Sequence, residues 1–548
     1  MFRSGRKNID NNSMKSVRRI SALLALLLGL LCFAALVFLV ALPHLIAMEP
    51  IKRNILVRLS ELTGGQIQYQ HIRIDYLPRP EMVFQNAELK LPDRFHLSLA
   101  ELRVTPELIP LLQGQVELRE IHLRQPYMEL LLPSNVDGTS KSILPGVGPE
   151  DLHTGLVALV SHPLFQKNGL RYKLQDGALH LIHPAGGRLR FDHIQAQIQR
   201  SDGRLHMALQ SESNLWQSCD LSGTIATSGQ QAVFRLGLKD FQPHRATALF
   251  FPSTAMPMVD SSLDLDATLK FDPGMVKTEL GFGRHRVVLR KDGKRVEFRG
   301  KSFGSSVTLQ PGSTIVTLNK LQLEAPALEV SGTFFQNHTR PEVRLDLSGR
   351  GVHVEPLRER LLTLAGQFKS VRHLFGVLTG GHVPLVSINA RGTSLSELTK
   401  VENCTVRGSI VKGRVRIPEI DLDLAAVKGD VAIDGGLLKA RNLHTQMVQT
   451  IGYDGRLTMG LRGRQAPFHL DIETLADMQQ LIPVLLRVVR NESFQREMRR
   501  IAAVTGKARG RLIIGDRLSA LTVDAGVSYA ALQADYTRLP HPVTITGG

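Results

Sequence analysis

A chain of 548 residues is long enough for several domains or for one very extended one. With 43% hydrophobic and 21% charged residues it has the composition of a folded protein, which excludes a disordered chain. The formal net charge of +17 suits an anionic membrane or nucleic acid, but only 5% of residues are aromatic, too few for the stacking platforms of single-strand binders. Nucleic acid is therefore not an expected partner, and much of the charge reads as solvated surface.

The first nineteen residues carry six basic groups and one acid, Asp10. The uncharged stretch that follows, residues 20–42, spans roughly 35 Å as a helix, enough to cross a bilayer. It is too long for a signal-peptide core, and no small-residue cleavage site follows it. An uncleaved signal anchor over 20–47 is expected, with the N-terminus in the cytoplasm by the charge bias and residues 49–548 outside.

Residues 49–65 predict a short amphipathic helix with Ile51, Ile55, Leu59 and Leu62 on one face, lying at or near the membrane surface. Strands follow to 132, with a helical turn at 106–112. A loop and a helix at 150–161 occupy 133–169. From 170 to 352 the pattern is almost continuous short strands, punctuated by turns such as Asp202-Gly203 and Asp292-Gly293. A helical insertion is expected within 353–382 (residues 354–378), strands over 383–472, helix within 473–506 (residues 474–504) interrupted near Pro483 and Asn491, and strands over 507–548. The final "PVTITGG" reads as mid-sheet, as in a truncated form.

The strands are amphipathic. In "SSLDLDATLKFD" Leu263, Leu265 and Leu269 alternate with Asp264 and Asp266. Leu345 and Leu347 repeat the pattern, as do Leu422 and Leu424, then Val431 and Ile433. Roughly 25–30 strands of six residues present an apolar face on the order of 2,500 Å², whereas a 25-residue helix covers only about 370 Å². Either the sheet folds on itself around dry cores, or it curls into an apolar trough that something greasy fills. Periodicity alone leaves both open.

No metalloprotease, nucleophile-elbow, P-loop or dinucleotide motif is present, so no catalytic residue and no cofactor is assigned. His180 and His183 lack a third metal ligand in sequence, so no metal site is assigned; the repeated Asp pairs read as a solvated face. Cys32, Cys219 and Cys404 form no framework, and a Cys219–Cys404 bond has no support.

The ordered series of anchor, helix, "LSELTGGQIQYQHIRIDYLPRPEMVFQNAEL" and "LAELRVTPELIPLLQGQVELREIHLRQPYMELLL" resembles the AsmA-like family of bacterial envelope proteins. "VRGSIVKGRVRIPEIDLDLAAVKGDVAIDGGLLKARNLHTQM" resembles the family's later repeats. The resemblance implies a mainly β fold: one transmembrane helix, then an elongated, curved antiparallel groove of repeated hairpins with a few covering helices. It implies an inner-membrane protein with its bulk in the periplasm that carries phospholipid acyl chains and supports outer-membrane assembly. The expected groove lining is Leu263, Leu265, Leu269, Leu345, Leu347, Leu422, Leu424, Val431 and Ile433. The competing expectation is a non-enzymatic scaffold for outer-membrane proteins with a dry β core.

Overall fold

The computed structural model describes residues 49–63, 66–75, 79–90, 96–113, 115–131, 149–182, 187–250, 258–417, 422–462, 465–489, 491–517 and 520–548. The expected anchor lies outside these residues. Among the described residues no helix is long and apolar enough to cross a membrane. The protein is mainly β, with 25 strands among the described residues. It divides into two compact units, residues 1–134 with 158–213, and residues 135–157 with 214–548.

The first unit holds α1 (Glu49–Thr63), α2 (Leu108–Leu112) and α4 (Pro163–Gln166), and the division runs through α3 (Pro149–Ser161). Its strands are β1 (Gln66–Gln68), β2 (His71–Asp75), β3 (Glu81–Lys90), β4 (His96–Pro106), β5 (Leu118–Leu131), β6 (Arg171–Ile182), β7 (Arg188–Ser201) and β8 (Arg204–Ser213). β1 and β2 share one edge of β3, and pairing then runs in chain order to β8. β5 and β6 pair in parallel, against the expectation of antiparallel hairpins throughout. A parallel neighbour requires a long crossover, and the stretch containing α3 and α4 supplies it.

This unit has a closed core. Ile55 and Leu59 of α1 are 0% and 1% exposed and pack with Met82, Phe84, Leu102 and Val104. Ile55 and Leu59 of the amphipathic face of α1 therefore pack on the sheet. Removing large side chains from water on one helix face is worth about 1.5–3 kcal/mol each, so the sheet is a strong competitor for that face.

The second unit is a meander. Its strands are β9 (Ser218–Ala226), β10 (Ala232–Phe241), β11 (Met258–Asp272), β12 (Met275–Lys291), β13 (Lys294–Gln310), β14 (Ser313–Ala325), β15 (Ala327–Asn337) and β16 (Glu342–His353). They continue as β17 (Leu378–Gly392), β18 (Cys404–Ile417), β19 (Leu422–Asp434), β20 (Leu437–Met447), β21 (Thr450–Gly460), β22 (Pro467–Asp477), β23 (Ile501–Arg517), β24 (Ala520–Tyr536) and β25 (Val543–Gly547). Each pairs antiparallel with the next. Several reach 17 residues, far beyond the six expected.

Bulges recur along the meander. Asp240, Asp260, Lys412, Ala426, Asn442 and Asp454 take positive φ near 50° at or beside register shifts. A bulge bends its strand and raises the local twist, so a long strand follows a curved sheet without breaking its ladder. Asp and Asn tolerate this backbone better than other side chains.

Three connections between strands of this unit carry described α-helices, while two single-turn 3-10 helices, Glu397–Thr399 and Val401–Asn403, join β17 to β18 at the opposite end. α5 (Pro243–Phe250) joins β10 to β11; α6 (Val354–Ala365) and α7 (Lys369–Val377) join β16 to β17; α8 (Met478–Val488) and α9 (Glu492–Met498) join β22 to β23. All three connections lead from an even to an odd strand, so antiparallel alternation places them at the same end of the strands. The single insertion expected at 354–378 is thus two helices, parted near Gly366. The helical stretch expected over 474–504 does break near Asn491, but α8 runs through Pro483 without the expected interruption, and the stretch is shorter, with β22 running to Asp477 and β23 resuming at Ile501. Asp477 caps α8 by accepting from Gln479 N at 3.0 Å, and Asn491 caps α9 through Phe494 N. α5 falls where only strands were expected.

Candidate functional site

The register places the alternating leucines in rows across the second unit. Cys219 lies opposite Leu238, then Leu265, Phe282, Phe303 and Leu321. The same row passes through Val330, Gly349, Val386, Gly408, Val431 and Ala440. It ends through Leu457, Leu470, Ile514 and Val523. Every strand from β9 to β24 contributes to it, and no charged or hydrogen-bonding side chain interrupts it. At about 4.8 Å per strand the row runs roughly 70 Å.

A neighbouring row begins at Leu221 and Leu236 and passes through Leu280, Leu318, Leu347 and Ile388 to Val406, Ile433 and Leu438. It reaches Met459 and Phe468, with Ala267, Ser305 and Gly332 as its small members. A third joins Phe234, Leu269, Val307, Val316, Phe334 and Leu345 through Thr278. Directly opposite side chains on one face stand about 4.5–5.5 Å apart and touch, so the first row is a continuous apolar strip and the other two are broken only by the hydroxyls of Ser305 and Thr278. Phe282 and Phe303 stack with centroids 4.2 Å apart, and the His285 ring meets Phe282 edge-on at 4.8 Å.

The expected lining residues share this face. Leu265 and Val431 lie in the first row, Leu347 and Ile433 in the second, Leu269 and Leu345 in the third. Leu263 pairs with Phe241 and His285, and Leu424 with Val415. All eight are half-buried. Leu422 pairs with Ile417 along the backbone, but its side chain lies outside the described residues.

That half-burial characterises the face. Cys219 and Leu238 are buried, but the larger apolar side chains of the first row from Leu265 onward are half-buried. Neighbours within the sheet shield their flanks, and these side chains keep part of their surface in water, unlike Ile55 and Leu59 in the first unit's core. The helices cover only the ends: α6 packs on β13, β16 and β17, and α8 on β22 and β23.

The other face is polar. One row on it reads Ser222, Arg235, Thr268, Glu279, Ser306 and Thr317, then Thr333, Asp346, Asn389 and Thr405. Lys277 hydrogen-bonds Glu279 at 2.7 Å, and Lys270 stands 3.9 Å away; together they hold the Glu279 carboxyl below the usual range. Arg511 does the same for Asp471 at 2.5 Å. Such exposed pairs add little stability, and here they keep one face in water.

The remaining sequence candidates stay dispersed. Asp264 accepts from Asp240 N at 2.9 Å, fixing a bulge, and Asp266 lies on the polar face. Asp423 is exposed, and Asp421 lies outside the described residues. His180 stands 3.7 Å from Asp192, while His183 lies outside the described residues. Among the described residues no three metal-ligating side chains converge. Cys219 and Cys404 are free thiols, and burial pushes the Cys404 thiol up. Sequence reasoning missed the Phe282–Phe303–His285 cluster, although "GFGRHR" and "KSFGSS" place both phenylalanines at the parity of the apolar face.

No protein-family model, curated protein or solved structure matches the chain.

Proposed function

We propose that this protein is a non-enzymatic carrier of phospholipid acyl chains, which lie along the apolar face of the second unit. The observation that carries this reading is the uninterrupted row from Cys219 to Val523, half-buried along most of its length. Each methylene withdrawn from water is worth about 0.8 kcal/mol, so an exposed long acyl chain costs on the order of 10 kcal/mol. A strip without charges and roughly 70 Å long relieves that cost at every step of a path. One bilayer leaflet is about half of the ~30 Å hydrocarbon core, so several chains fit end to end. The resemblance to the AsmA-like family points the same way. It adds the setting: an anchor at 20–47 in the inner membrane, the bulk of the chain in the periplasm, and delivery of lipid towards the outer membrane. A scaffold with a dry core fits less well, because a dry core needs a second layer over these leucines.

The test is native mass spectrometry with lipid extraction on the full chain, purified in mild detergent. Several phospholipids per chain are expected. A lipid-free, stably folded chain would remove the proposal.

A further inference from the structure

The helix-bearing end of the second unit holds a feature that an acyl-chain strip leaves unused. A shallow, open cleft of about 490 Å³ lies between α9, the residues leading into β23 and the turn after β24, lined by Glu492, Gln495, Arg496, Arg499, Arg500 and Thr537. The sequence "FQREMRR" sets Arg496, Arg499 and Arg500 at i, i+3 and i+4, which turns them to one side. Thr537 N donates to Arg500 O at 3.1 Å and ties the turn to the cleft.

The arginines are under-compensated. Arg500 pairs with Glu497, and Arg538 reaches the same carboxylate at 3.4 Å. Arg499 reaches only the Gln495 side-chain oxygen, at 3.5 Å. Among the described residues Arg496 has no hydrogen bond or ion pair. Arg500 and Arg496 both act on the Glu497 carboxylate and hold it below its ordinary pKa, so three arginines, with Arg538, draw on that one carboxylate.

The cleft also adjoins the apolar face. Ala508, Ala530 and Ala534 are buried on that face. Two residues beyond Ala534, Tyr536 has the same parity, and its hydroxyl donates to Glu497 at 3.0 Å. One ligand with an apolar body and an anionic head would span both. Guanidinium forks match phosphate oxygens in geometry and charge.

Resting on the reading of the apolar face as an acyl-chain strip, we propose that this cleft binds the phosphate group of a phospholipid whose chains lie on that face. Free phosphate has the same head chemistry, so the probes must separate the two.

The full chain in mild detergent is titrated with dioleoylphosphatidylglycerol, dioleoylglycerol and inorganic phosphate. Arg496→Gln with Arg499→Gln is expected to weaken phosphatidylglycerol binding at least about tenfold and leave dioleoylglycerol unchanged. Glu492→Gln is expected to tighten phosphatidylglycerol binding. Arg407→Gln with Lys439→Gln, on the polar face, controls for net charge and should have no effect. Unchanged phosphatidylglycerol binding in the arginine variant, or equal loss of both lipids, overturns the proposal. Inorganic phosphate binding with the same arginine dependence, and no gain from acyl chains, assigns the cleft to soluble phosphate and overturns the lipid assignment. If dioleoylglycerol fails to bind the unaltered chain, the acyl-chain reading falls; arginine-dependent phosphate binding would still identify an anion cleft.

Discussion

Leu59 and Leu265 are the same residue type in two different packings, and replacing each tests whether the apolar face of the second unit is dry. Leu59 is 1% exposed within a closed core. Leu59→Ala leaves a cavity there, at a cost of about 2–5 kcal/mol. Leu265 stands between Leu238 and Phe282 and is only half-buried, so Leu265→Ala leaves less of a cavity than Leu59→Ala. Only part of the transfer free energy is lost, about 1 kcal/mol. Leu265→Asp should cost the lipid-free fold little more, because the carboxylate can turn to water. An acyl chain lying over it would have to strip that water, at roughly 3 kcal/mol or more, so occupancy at that point should fall by more than about a hundredfold. Hydrogen exchange of the β10–β12 amides reads the local stability, and lipid extraction reads the load. With Val431→Asp added, the row is cut twice and the load should drop further. The reasoning is refuted if Leu265→Ala opens β10–β12 as severely as Leu59→Ala opens the first unit, since that is the mark of a dry core. It is equally refuted if the folded double aspartate variant retains a full lipid load.

Two further outcomes follow from the backbone and from a charged pair. A Cβ on Gly332 would sit 2.3 Å from Asp346 O on the neighbouring strand, so Gly332→Val should part β15 from β16, cost at least about 2 kcal/mol locally and expose a new proteolytic site there. In the first unit His193 Nδ1 stands 3.0 Å from Asp176 Oδ1, and that bond raises the imidazole above its ordinary pKa. A raised pKa means the pair's contribution is complete below about pH 6.5 and fades as pH rises through the folded value. Asp176→Asn, which keeps a residue tolerant of positive φ, should lower the His193 titration seen by NMR, with Glu212 and Asp192 still holding it somewhat up; an unmoved titration would show that the bond is absent in solution.

The faces of the sheet were legible because alternation is a two-residue signal. "SSLDLDATLKFD" separates Leu263, Leu265 and Leu269 from Asp264 and Asp266, and the register keeps that separation. The lateral rows were not legible, since they depend on where each bulge falls. Lys412 and Ala426 take positive φ, yet neither residue type announces it. The partner of α1 was hidden for another reason: Ile55 and Leu59 define a greasy face, but the same face fits a bilayer or a sheet. The parallel joining of β5 to β6 was masked by a crossover whose helix reads the same whichever way the chain returns. The arginine cleft joins residues 492–500 to Thr537, a contact made by folding β23 and β24 into a hairpin.

The uniformity of the apolar face bears on movement. A single deep pocket would grip an acyl chain from all sides at once and release it slowly. Along the first row a chain advancing by one strand leaves one leucine, valine or phenylalanine and meets another about 4.8 Å on. The apolar surface uncovered behind the chain is matched by the surface it covers ahead, so the net change per step is a small fraction of the order 10 kcal/mol that the whole chain gains. Gly349, Gly408 and Ala440 lower the wall without adding a polar group. The half-burial that leaves these side chains short of a second layer is the same property that keeps the strip open to a moving occupant. On the proposed acyl-chain reading, an engineered second layer should stabilise the unit and abolish the extractable lipid load together.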